Sequence, residues 1–258
     1  FGDGRGNIIL HGNYLTRDGV MMEDRDFSRV PLDSNTMGVT GSGNIPGGRI
    51  ALSAAQLASL DIGNGAGVLP RNPSCTAPQN AIRFGDNGQV LQYCSPEDTF
   101  NYADGNFLLR PFERQQFTGL VNYDVSDRVQ AFAEFHYVNS RNHYQQASDS
   151  LNVLTPDQNY FEVVNYATNP VLSASVRDLF VRNSAIFDPN NTGNARISGG
   201  ILRRFDELGL RTFSFERATV GTTGGLRGSF DMGGNNWNWE IFGQYQRSRT
   251  DETVEGMM

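Results

Sequence analysis

The stretch RVQAFAEFHYVNSR, residues 128–141, decides how the chain is read. Taken with a period of two, it sets Val129, Ala131, Ala133, Phe135 and Tyr137 on one face. Gln130, Phe132, Glu134, His136, Val138 and Ser140 fall on the other. One face is apolar, the other mostly polar, and the run is too long for an ordinary surface strand. In a soluble sandwich the apolar face meets a second sheet. In an outer-membrane barrel it meets lipid, and the polar face lines a water-filled lumen.

Further segments repeat the alternation. NIILHGNYL sets Ile8, Leu10, Gly12 and Tyr14 against Asn7, Ile9, His11 and Asn13. FTGLVNYDV sets Phe117, Gly119, Val121, Tyr123 and Val125 against Thr118, Leu120, Asn122 and Asp124. WNWEIFGQYQRS does the same with Trp237, Trp239, Ile241, Gly243 and Tyr245 against Asn238, Glu240, Gln244 and Gln246. A longer segment, residues 211–230, contains Gly224-Gly225, which predicts a bend or bulge midway. These runs reach about a dozen residues, against about 5–6 in a globular sheet and about 9–11 in a spanning strand.

The connections carry the stronger signal. DVSDR and DMGGNN are compact turns. The other two connections, about residues 17–116 and 142–210, run through Gly, Pro, Asn and Ser with only small pieces of regular structure expected. Alternating long and short connections put every long loop at one end, as in outer-membrane barrels. The expected fold is therefore all-β. It is an antiparallel up-and-down transmembrane β-barrel, in part, with about five long strands and two very long extracellular loops.

Composition agrees. A mean hydropathy of -0.44 over 258 residues suits strands that are apolar only at alternate positions. No run approaches the roughly 18 apolar residues of a spanning helix. A net charge of -7 excludes a nucleic-acid partner, which needs a basic surface. The first residues lack a basic region followed by an apolar segment, so no secretory signal is expected there. Cys75 and Cys94 lie in a loop rich in Pro, Gly and Asn and predict a stapling disulfide in an oxidising compartment, with two unpaired thiols as the alternative. Within the loops the pattern predicts a short helix over about 53–60 and a hairpin about Asn87-Gly88. It also predicts a helix capped by Asn169, with Leu172, Val176, Leu179 and Phe180 on one face.

Enzyme signals are missing. The three histidines have no ligand or triad spacing, and there is no nucleophile elbow or phosphate loop. No catalytic residue, cofactor or metal is expected. Glu134 and His136 would be neighbours on the polar face, as solvated lumen residues within reach of a ligand. DPNNTGN, residues 188–194, lacks the spacing of a calcium loop and reads as a structural turn. Arg203, Arg204 and Arg211, near Asp206 and Glu207, either hold an anionic ligand or pair among themselves. Trp237 and Trp239 fit an aromatic girdle at the turn end.

The strings GRGNIILHGNYLTRDGVMMEDRDFS, NFLLRPFERQQFTGLVNYDVSDRVQAFAEFHYVNSR, NPVLSAS and LRRFDELGLRTFSFERATVGTTGGLRGSF with WNWEIFGQYQRSRT resemble consecutive pieces of the barrel of a TonB-dependent outer-membrane receptor. The resemblance implies a 22-stranded barrel with a plug, placed in the outer membrane of a Gram-negative bacterium. The barrel would import a scarce nutrient such as a ferric siderophore, cobalamin or an oligosaccharide with energy from the TonB complex. Its partners would be outer-membrane lipid, that nutrient and, through the plug, TonB. Residues 1–258 would form part of the barrel domain, an internal piece without plug or TonB box. The competing expectation is a secreted soluble carbohydrate-binding module or glycan-active enzyme that stacks sugars on Tyr102, Phe107 and Tyr160. It would need a second layer over its apolar face.

Overall fold

The computed structural model describes residues 2, 4–152, 160–198 and 200–257. It is all-β with antiparallel sheets and no closed barrel. In chain order the strands are β1 (Gly6–Arg17), β2 (Val20–Met21), β3 (Arg49–Ala51), β4 (Pro78–Phe84), β5 (Val90–Cys94), β6 (Phe107–Leu109) and β7 (Phe112–Ser126). They continue as β8 (Val129–Gln146), β9 (Ser150–Asn152), β10 (Phe161–Val163), β11 (Ala195–Ile197), β12 (Ile201–Arg204), β13 (Arg211–Met232) and β14 (Asn235–Glu255). Helices are α1 (Ala54–Ser59), α2 (Ala174–Arg182) and α3 (Ser184–Phe187). The chain divides into two compact units.

The first unit comprises Phe1–Val20, Phe107–Gln145 and Thr212–Glu255. Its sheet has the order β1-β7-β8-β13-β14, so neighbours in space follow one another in the chain. The five strands contain 12, 15, 18, 22 and 21 residues, long enough to match the length read from the alternation. Only Asp127 and Arg128 separate β7 from β8. β13 and β14 are joined by Gly233 and Gly234, with φ of 63° and 79°. A two-residue hairpin turn of this hand needs positive φ at both positions, which glycine adopts without strain. The bulge expected at Gly224-Gly225 is not there: the register runs unbroken from Thr212↔Glu255 to Met232↔Asn235. Gly225 instead leaves room for a neighbouring ring, since a Cβ on it would lie 2.9 Å from Phe132. The irregularity falls in β7, between Asp124 and Ser126.

The second unit, Met21–Asn106 with Gln146–Arg211 and Gly256–Met258, joins the small pieces of regular structure expected in the two long connections into one body. Its five-stranded sheet, β5-β4-β3-β12-β9, takes three strands from the first long connection and two from the second. β12 joins them, pairing Ile201 with Ile50 on one side and Leu202 with Asn152 on the other. Ile50, Leu60, Ile82, Val90, Leu179, Phe180, Phe187 and Ile197 pack into one buried core. The α1 helix begins at a capping box in which Ser53 Oγ accepts from Gln56 N and Gln56 Oε1 accepts from Ser53 N. α2 starts later than expected, capped by Ser173. Asn169 closes a local turn, accepting from Val171 N and donating to Val164 O, so its side chain is not available to a helix. Leu179 and Phe180 are buried on the predicted face.

Cys75 and Cys94 form a disulfide with Cα atoms 5.6 Å apart. It ties the end of β5 to the preceding loop. The Asp98 carboxylate accepts from Cys94 N at 2.8 Å and pairs with Arg83 at 3.0 Å. Replacing both cysteines, as Cys75→Ser with Cys94→Ala, should destabilise this unit by about 2–4 kcal/mol. The urea midpoint of the double variant should match that of the reduced wild-type chain.

Candidate functional site

The registers sort the side chains of the long sheet into two faces. On one, Ile8, Leu10, Gly12 and Tyr14 of β1 lie opposite Val121, Gly119, Phe117 and Gln115 of β7. Val121, Gly119 and Phe117 in turn oppose Ala133, Phe135 and Tyr137 of β8. Phe230, Gly228, Leu226 and Thr222 of β13 oppose Trp237, Trp239, Ile241 and Tyr245 of β14. These positions make an apolar band across all five strands. Leu10 is 67% exposed, Ile241 66%, Tyr245 59% and Trp237 50%, values that ordinary core side chains never reach. From Trp237 to Tyr245 the band measures about 27 Å along the strand at about 3.4 Å per residue. A tilt of about 40° reduces that to about 21 Å, near the roughly 25 Å apolar belt of a membrane barrel.

The opposite face is mostly polar. Arg227 identifies it across strands, donating to Gln130 Oε1 at 2.8 Å and to Asn122 Oδ1 at 3.0 Å while lying 5.3 Å from the centroid of Phe132. Gln130 also donates to Asp124 at 2.7 Å. Glu134 and His136 are on this face, opposite Leu120 and Thr118. The imidazole of His136 rests over Gly221, where any Cβ would collide with it. Glu240, Gln244 and Gln246 share the face, as do Ile9, Leu15 and Phe242. At the turn end an open cleft of about 790 Å³ is lined by Arg5, Asp124, Arg227 and Glu240.

The three arginines of the 203–211 segment belong to the second unit and are all engaged within it. Arg203 pairs with Glu207 at 2.7 Å. Arg204 is buried and donates to Asn44 O at 3.2 Å, Ser148 O at 2.5 Å and Ser42 Oγ at 3.0 Å, with Phe100 stacked 4.5 Å from its guanidinium carbon. Burial pulls its pKa below the ordinary arginine value. Arg211 donates to Ala147 O at 2.9 Å and lies 3.6 Å from Asp149. Of the two uses open to these residues, internal pairing is the one the geometry displays.

The 188–194 segment is a turn built on Asp188. Its carboxylate accepts from Thr192 N at 2.8 Å, Thr192 Oγ1 at 2.9 Å and Gly193 N at 2.8 Å, and from the Tyr166 hydroxyl at 3.5 Å. Donation from the Thr192 backbone is the main cause that holds its pKa below the usual carboxylate value. With the folded value depressed, the stabilisation is complete above the unfolded value of about 3.9 and is lost as pH falls through the folded one. The gap in thermal midpoint between wild type and Asp188→Asn should thus be constant above about pH 5 and close below about pH 4.

Two of the three loop aromatics of the competing sugar-stacking expectation, Tyr160 and Phe107, are not bare platforms. Arg196 covers Tyr160 at 4.5 Å, and Phe107 meets His143 edge-on at 6.1 Å. Among the described residues no group of three or more His, Cys, Asp or Glu is placed to hold a metal ion. Among the described residues no helix is long and apolar enough to cross a membrane.

One feature was missed in the sequence. On the apolar face the side chains turn polar at about the same height on every strand, at Thr16, Gln115, Asn139, Glu216 and Arg247. The signal was present in the period-two pattern, where Tyr137 gives way to Asn139 and Arg141, and Tyr245 to Arg247 and Arg249. Comparison with protein-family models, curated proteins and solved structures gives no match for this chain.

Proposed function

We propose that the long sheet is a wall section of an outer-membrane transport barrel of the TonB-dependent receptor type, and that the second unit is its folded nutrient-capturing loop region. The observation that carries this reading is the exposed apolar band, which crosses all five strands at a height suited to a bilayer. The sorting of connections supports it. Both two-residue turns lie at one end of the sheet, and both long connections leave from the other. Among the described residues β1 and β14 have no further strand beside them, so the wall would continue through additional strands that pair with these edges. Nutrient would be captured on the loop side and moved past Glu134 and His136 along the polar face, with TonB supplying energy through a plug. The nutrient itself stays open among ferric siderophores, cobalamin and oligosaccharides.

The test is to produce the full-length gene product with its native export signal in a Gram-negative host and fractionate the cells. Recovery in outer membranes, resistance to carbonate extraction and a mobility that changes on boiling are expected. A soluble, monomeric periplasmic or secreted product would overturn the reading and favour the secreted β-module.

A further inference from the structure

We propose that the polar rim of the apolar band, at its loop end, binds the phosphate of anionic lipid headgroups through Arg247 and Arg249. This rests on the membrane reading above and adds a specific lipid chemistry to it. The rim can be followed row by row. The bond from Ser229 N to Arg128 O and the closeness of Gly221 to His136 align β13 with β8, so the last apolar row holds Gly12, Phe117, Tyr137, Val220 and Arg247. The next holds Tyr14, Gln115, Asn139, Ala218 and Arg249. A third holds Thr16, Glu113, Arg141, Glu216 and Asp251, with Arg141 bonded to Glu216 at 3.1 Å across β8 and β13.

Charge is distributed unevenly over these rows. The two rows nearest the band contain two arginines and no carboxylate; every acidic side chain waits for the third row. Arg247 is exposed and has no hydrogen-bond or ion-pair partner among the described residues. Arg249 reaches up to Asp251 at 2.9 Å, but both side chains of that pair are more than half exposed, so the contact is weak and exchangeable. Long arginine stems lie along apolar surface and hold their charge at the interface, where Tyr245 precedes Arg247 on the same face of β14. Two cations on β14, one in each of two rows without acids and continuous with a lipid-facing band, are complementary to lipid phosphates.

The test reconstitutes the full-length gene product, with the strands that complete the wall, from detergent into vesicles of phosphatidylcholine alone and of phosphatidylcholine with phosphatidylglycerol, and measures the partition ratio between them. Wild type should prefer the anionic vesicles. Each arginine replaced by Gln should lower that preference about fivefold, and Arg247→Gln with Arg249→Gln should nearly abolish it. Arg247→Lys with Arg249→Lys should retain most of it, and Arg217→Gln, on the polar face, should leave it unchanged. A preference that survives the double Gln change, or that Arg217→Gln lowers equally, overturns the proposal while leaving the membrane reading intact. So does abolition by millimolar inorganic phosphate, compared with chloride at equal ionic strength, because the site would then take free anions. Failure to enter either vesicle type overturns the membrane reading and this proposal together.

Discussion

Arginine at Ala133 should cost about 2–4 kcal/mol of membrane insertion, whereas arginine at Gln244 should cost less than about 1 kcal/mol. Ala133 lies opposite Val121 in the middle of the apolar band. A guanidinium there has no polar neighbour on its face and must either desolvate in hydrocarbon or thin the bilayer. Gln244 lies opposite Thr223 on the polar face and is exposed, so its replacement stays in water. Gln130, the obvious comparator from sequence, is a poorer choice because Arg227 and Asp124 both bond to it. A second guanidinium at that position would be set against Arg227. Unfolding titrations from bilayers, or the yield of heat-modifiable protein, measure the difference. Equal costs at Ala133 and Gln244 would show that neither face is in lipid.

Arg204→Ala should destabilise the loop unit by about 3–5 kcal/mol, the largest single-residue effect expected there. The residue is only 6% exposed, and its guanidinium serves three separate acceptors, on Ser42, Asn44 and Ser148. These come from both long connections, so the side chain fastens one to the other. Truncation leaves those oxygens buried without donors and opens a gap beside Phe100. Lys should recover little, since one ammonium cannot reproduce the planar fork that reaches all three. Urea unfolding followed by proteolysis of the loop unit gives the number. A loss below about 1 kcal/mol would return Arg204 to the pool of ligand-binding candidates, because its burial would then have no structural use.

Much of the long sheet was legible because its physics is local. Alternate side chains on a strand face opposite ways, so RVQAFAEFHYVNSR displays its two surfaces without knowledge of any partner. Gly233-Gly234 likewise announces its turn, since few other pairs accept two positive φ values. The loop unit was not legible as a unit. β3 and β12 are three and four residues long, too short to show a period, and lie about 150 positions apart in the chain. Nothing near Ile50 in sequence indicates that Ile201 will pair with it. Asn169 and Ser173 are both good caps by type, and the choice fell to Ser173 once Asn169 had closed its own turn.

The candidate site divides along the same line. The alternation assigned Glu134, His136, Trp239 and Ile241 to their faces, and Cys75 and Cys94 to a shared loop. It could not tell whether Arg203, Arg204 and Arg211 were held out to a ligand or spent on carbonyls and carboxylates, because their partners at Asn44, Ser148 and Asp149 are remote or equally polar neighbours. Nor could it align Arg247 with Val220 and Tyr137, which needs the register of three strands at once. The sequence by itself determined the strands, their faces and the sorting of their connections, since these follow from backbone geometry over a few residues. Only the tertiary structure decided the joint fold of the two connections, the burial of Arg204 and the placing of Arg247 and Arg249 in rim rows without acids. Each of these depends on contacts between distant segments whose free energy no local pattern contains.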